Sequence, residues 1–163
     1  MNILSKLAQK GNTIVNTKTV LGEENYQFKW NEPANENDIL KFEERIGYKL
    51  PDAYREFLLI ANGGIIFESE YEEDGYRILG IHEIFEFTRE MKEYGYKLSE
   101  SWYCFLQCLF SNDVLFFDLS KEKNYIIDGD MAYPIHEWEC LKETVNEFFI
   151  HLCQANGTMF WRW

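Results

Sequence analysis

Apolar and polar residues change their period several times along the chain, and each change marks an element. Tyr26-Gln27-Phe28-Lys29-Trp30 alternates with period two, which predicts a strand with one buried face. The apolar and basic stretch Asn2–Gln9 precedes it as a short helix ending near Gly11. After Pro33 the period lengthens. Ile39, Phe42 and Ile46 form one helical stripe, with Asn35 as N-cap, Asp38 in the positive first turn and Gly47 past the end. Pro51 suits the first turn of a second helix, whose apolar face is Tyr54, Phe57, Leu58 and Ala61. Asn62-Gly63-Gly64 stops it.

Beyond that stop, Gly64–Phe67 and Tyr76–Leu79 predict strands around an acidic segment. A helix follows from about His82 to Tyr94, turning Ile84, Phe87 and Met91 inward. Trp102–Phe110 and Val114–Leu119 predict strands around a Ser111-Asn112-Asp113 turn, with Asn124–Asp128 a third and Tyr133–Ile135 a short fourth. A last helix runs from about Glu139 to Gln154, with Leu141, Val145, Phe148 and Leu152 at near-helical spacing. Helices and strands do not alternate strictly. The order predicts an α+β fold, a largely antiparallel sheet of about five or six strands packed against helices.

Composition narrows the class. The 163 residues hold no repeat or linker, so they read as a single domain, 1–163. At 17% aromatic the chain is too rich in core formers to be disordered. Twenty-eight acids against sixteen bases give a net charge of −12, which disfavours nucleic acid and anionic membrane as direct partners. No apolar run reaches the roughly 18 residues of a membrane span, and Met1–Lys6 does not open a secretory signal. A cytoplasmic chain follows, with Cys104, Cys108, Cys140 and Cys153 reduced and buried and Asn156-Gly157-Thr158 a chance glycosylation match.

The segment from Glu36 to Gly64 carries a more specific pattern: Phe42-Glu43, Gly47, Leu50-Pro51, Tyr54, Phe57-Leu58 and Asn62-Gly63-Gly64. In order and spacing it resembles the signature of the SUKH superfamily, the Smi/Knr-type proteins, and the downstream elements extend the likeness from Tyr26 to about Leu152. Residues 1–25 form an N-terminal extension and 155–163 an aromatic tail, neither with a counterpart in the family. Ser111-Asn112-Asp113 stands where many members have a Gly-rich turn. The resemblance implies a non-enzymatic protein without cofactor. It points to an immunity protein of a bacterial polymorphic toxin system that binds a cognate basic toxin domain, a nuclease or a deaminase. A regulatory or scaffolding module, as in the fungal branch that controls cell-wall synthesis, is the alternative. Monomer and homodimer both stay open.

Ten acids and four bases lie between Glu68 and Glu100, so one fifth of the chain carries half its net charge. Clustered like charge opposes folding, which makes it a candidate surface rather than a neutral one, although a merely solvated face is its plain alternative. Glu70, Glu72, Glu73 and Asp74 would steer a basic partner, and Glu86, Glu90 and Glu93 would flank them on one helix face with Glu83. Tyr71, Tyr76 and Trp102 are the expected contact anchors among aromatics that also include Tyr94, Tyr96 and Tyr103. Catalytic and metal patterns are weak. Asp128-Gly129-Asp130 reads as a turn rather than a metal-binding pair, Cys104 and Cys108 on a strand stand about 13 Å apart, and the three histidines show no partner.

Overall fold

The computed structural model describes residues 1–70, 74–123 and 125–162, and of Thr19 the backbone alone. Along the chain come α1 (Ile3–Gln9), β1 (Thr13–Thr19), β2 (Gly22–Trp30), α2 (Glu36–Ile46), α3 (Asp52–Leu58), β3 (Gly64–Glu68) and β4 (Tyr76–Ile78). Then follow α4 (Ile81–Glu93), β5 (Trp102–Cys108), β6 (Val114–Asp118), β7 (Ile126–Gly129), β8 (Glu139–Cys140) and α5 (Val145–Gln154). Among the described residues eight strands form one antiparallel sheet, and their order in space is their order in sequence.

The sheet is wider than expected, and the extra strands come from both ends. β1 pairs with β2 from Thr13↔Phe28 to Thr19↔Gly22 across a two-residue turn, so the N-terminal extension belongs to the sheet. Tyr133–Ile135 is not a strand. Pro134 has no N–H to give a ladder, and a single 3-10 turn, Ile135–Glu137, takes its place before the short β8. The last helix begins at Val145 rather than Glu139. Thr144 caps it reciprocally, receiving Glu147 N–H on its hydroxyl while Glu147 accepts from Thr144 N at 2.8 Å. Leu141 is not on that helix. Its N–H reaches back to Ile126 O, holding the segment to the sheet.

Both faces of the sheet centre are covered, so every residue of β6 is buried. On one side Phe117 stacks on Phe105 at 4.1 Å, with Tyr54 of α3 and Phe148 and Phe149 of α5 around them. On the other, Phe116 stacks with Trp138, and Trp138 with Trp102. From α4, Ile84 and Met91 are buried as expected and Phe87 is half-buried. Among the described residues no helix is long and apolar enough to cross a membrane.

The α2–α3 pair explains the Phe42-Glu43 feature. Asn35 caps α2 through Asn37 N–H, and Gly47 ends it in the left-handed conformation at φ 76°. Phe42 is buried, and so is Glu43 beside it. The Glu43 carboxylate accepts Leu50 N–H at 2.9 Å and lies 3.2 Å from Arg55 Nε, tying the turn after α2 to α3. Glu43→Ala strands that N–H and that guanidinium, and is expected to cost about 2–3 kcal/mol in urea unfolding. Glu43→Gln keeps an acceptor for Leu50 and should cost about half as much. Equal losses for the two would mean the charge, not the acceptor, holds the turn.

Candidate functional site

The acidic segment breaks into parts with different roles. Glu68 is buried and ion-paired to Lys29 across the β2–β3 pair, so it belongs to the sheet. Glu70 is exposed, and Asp74 is half-buried with its carboxylate accepting Ser69 N–H at 2.6 Å. Tyr71, Glu72 and Glu73 lie outside the described residues. On α4, Glu83 turns back to accept Gly80 N–H at 2.8 Å, capping the helix instead of presenting charge. Arg89 sits between Glu86 and Glu93 and pairs with both, while Glu90 stays exposed. The face is therefore less negative than its sequence implies, and Glu90 is its least compensated acid.

Two of the three expected anchors can be placed, and one is a correction. Tyr76 is 0% exposed, its hydroxyl donates to Gly157 O at 2.8 Å, and burial pushes that hydroxyl well above its ordinary pKa. A side chain in that position meets no partner. The strand alternation carried the warning, since Arg77 between Tyr76 and Ile78 takes the outward position. Trp102 is half-buried at the base of the Trp138 stack. The tyrosines that do reach solvent among the described residues are Tyr94 and Tyr96, just beyond α4, and Tyr133, between β7 and β8; Phe110 after β5 is exposed as well. Tyr133 was missed because it was read as strand.

Asp128-Gly129-Asp130 has a use that no spacing showed. Asp128 and Gly129 end β7, paired with β6, and are not a turn. Arg162 of the aromatic tail reaches them: Nε and Nη2 donate to the two oxygens of Asp128 at 3.2 and 3.0 Å. Nη1 lies 3.1 Å from both Asp113 and Asp130. Burial raises Asp128 above the usual carboxylate range against the pull of Arg162. Burial would lower Arg162, yet Asp128 and its neighbours hold its pKa above the ordinary value. Trp161 beside it packs on Phe148 and Tyr76, so the tail is docked on the core.

The thiols separate by environment. Cys104 and Cys108 are buried and Cys153 half-buried, and burial raises all three, Cys108 to about 12 and Cys153 to about 11. At neutral pH they carry no thiolate to act as nucleophile or soft ligand. Cys140 is exposed, contrary to expectation, because β8 is an edge strand. His151 does have a partner, Glu143 Oε1 at 2.8 Å on the surface, which the sequence did not show. Among the described residues no three His, Cys, Asp or Glu side chains gather as metal ligands.

Comparison with known proteins agrees with this architecture. The family model of SMI1/KNR4 proteins (SUKH-1) matches residues 33–149, which span α2 to the middle of α5. A protein of Bacillus subtilis strain 168, described as the uncharacterized protein YnaB, is 28% identical over 141 residues. That match covers 85% of this chain and 89% of the relative.

Proposed function

The chain belongs to the SMI1/KNR4 family (SUKH-1), and from that premise we propose that it is an immunity protein of a bacterial polymorphic toxin system. Domains of this family are generally non-catalytic immunity or regulatory modules, and the likeness to a Bacillus subtilis protein favours the first branch. In this reading the protein works in the cytoplasm, binds one toxin domain, a nuclease or a deaminase, and blocks its site without turnover. The observation that carries it is family membership joined to the strongly acidic stretch from Glu68 to Glu100. A nuclease or deaminase that handles nucleic acid presents cationic surface, and a negative surface of this kind speeds its capture.

Glu70, Glu72, Glu73 and Asp74 supply the charge that steers the partner in this proposal, with Glu86, Glu90 and Glu93 as a flanking face and Tyr71 and Trp102 as anchors. Tyr76 is withdrawn. Co-expression with the toxin encoded beside it should restore growth of a sensitive strain. A Glu70→Lys/Glu72→Lys/Glu73→Lys variant should slow association about tenfold at low salt with little change in dissociation. Growth that is not restored by the unaltered protein, or a pull-down that returns several housekeeping proteins, would move the reading to the regulatory branch.

A further inference from the structure

Three tyrosines face water at one place although nothing inside the protein requires it. Tyr94 is 83% exposed, Tyr96 36% and Tyr133 56%. Among the described residues none of their hydroxyls is hydrogen-bonded and none of their rings meets another ring. Elsewhere the fold uses this residue type fully: Tyr54 donates to Leu79 O and Tyr76 to Gly157 O. The backbone beneath the exposed three is nevertheless fixed. Tyr94 N–H and Tyr96 N–H bond to Glu90 O and Met91 O, and Tyr133 N–H bonds to Asp130 O at 3.0 Å. Trp138 Nε1 donates to Tyr133 O from the other side. Rings with little to lose on being fixed, on a main chain already held, are what a binding surface needs.

These side chains border three neighbouring hollows, which together make a trough. A hollow of about 350 Å³ lies between Phe87, Met91, Tyr94 and Tyr96, and one of about 500 Å³ runs from Tyr96 to Tyr133, Pro134 and Ile135. Tyr133 also borders a third, of about 590 Å³, that extends to Trp138 and Trp161. Tyr96 borders both the first and the second hollow, and Tyr133 both the second and the third. The walls are acidic. Arg162 is paired with its own aspartates, which leaves Glu90, Glu137 and Glu139 against Lys97 and against His136, which lies 3.7 Å from Glu137.

We propose that this trough is the docking seat for a cationic segment of a partner protein, with Tyr94, Tyr96 and Tyr133 as its anchors. Arg or Lys side chains fit over tyrosine faces and toward those carboxylates, and apolar side chains between them fill the hollows. A second copy of this chain is a poor occupant, because it brings its own −12 to an acidic surface. Nucleic acid repels it for the same reason. The inference deepens the immunity reading by naming where the partner sits, and it can fail separately from it.

The test places the photo-crosslinking residue benzoylphenylalanine at Tyr94 or at Tyr133 of the full chain in its own host, with the exposed Lys41 of α2 as control position. Mass spectrometry then maps the crosslinked segment. Expected is one partner, joined through a net-basic segment, whose affinity falls about a hundredfold in Y94A/Y133A while thermal stability barely moves. Adducts no stronger than at Lys41, an acidic or neutral segment, or a second copy would overturn the trough. A basic segment of a housekeeping protein would keep the trough and remove the immunity reading. Undiminished toxin neutralisation by Y94A/Y133A would do the reverse.

Discussion

Gly63→Ala is expected to leave the protein largely unfolded at temperatures the unaltered chain withstands. Gly63 has φ 86°, where a Cβ costs about 1–2 kcal/mol by itself. The added atom would stand 2.6 Å from Ile78 O and 2.7 Å from Gly80 N, and both are main-chain atoms that no rotamer change can clear. The displacement cannot stay local. Asn62 Oδ1 holds Ile81 N–H at the start of α4, Gly63 O accepts from Asn31 N–H, and Asn62 N–H reaches Glu32 O. Asn62 and Gly63 together thus join the end of β2, the start of β3 and the first turn of α4, which accounts for the Asn-Gly-Gly stop in physical terms. A loss of about 3–5 kcal/mol follows, a large part of the 5–15 kcal/mol typical of domains. Gly95→Ala is the control, with φ 97° and nothing within 4 Å of its added atom, and it should show only the conformational cost. If urea midpoints put the two variants level, the junction is not what the glycine serves.

Arg162→Ala should be nearly as costly and should carry a pH signature. Removing the guanidinium leaves Asp113, Asp128 and Asp130 close together with no cation among them. Breaking a buried pair this way typically costs about 3–5 kcal/mol. Partial contact of Arg162 with water places the expectation at about 2–4. For a chain of this length that is a fall in Tm of roughly 5–15 °C. Asp128 already has a folded-state pKa above its ordinary value, and loss of Arg162 raises it further. A carboxyl raised in the folded state binds its proton more readily there than in the unfolded chain, so stability falls as pH rises through that window. The deficit of Arg162→Ala relative to the unaltered protein should therefore shrink as pH is lowered from 7 toward 4. A deficit that is constant with pH would mean that lost packing, not orphaned charge, is the cause. Arg162→Lys, which keeps charge without the two-pronged contact to Asp128, should fall between them.

The helices were legible where their ends carry chemistry of their own. Asn35 and Gly47 gave α2 almost to the residue, because capping is decided within a few positions, whereas α3 ends at Leu58, short of Ala61 and the Asn62-Gly63-Gly64 stop. The start of α5 was equally available in Thr144-x-x-Glu147, but the apolar spacing of Leu141 outweighed it. β1 and β8 were not legible. One shows no clean alternation and the other has two residues, and each becomes a strand only because a neighbour offers a ladder. The acidic helix face was readable as a stripe, yet spacing cannot show that Glu83 turns inward or that Arg89 lies between two of its acids. The Arg162 cluster joins positions 113, 128, 130 and 162, and only the folded sheet brings them together.

The simple strand order has a kinetic consequence. Each strand pairs with the one made just before it, with no crossover to wait for, so the sheet can lengthen in step with synthesis. The contacts that fasten the two ends of the chain close over long separations: Ile3 N–H to Asn146 Oδ1 across 143 positions, and Arg162 onto Asp113 and Asp128. Refolding followed by stopped-flow fluorescence should accordingly show the sheet's aromatic burial first and the docking of α5 and the tail last. Weakening that final closure should speed unfolding while leaving the early phase unchanged.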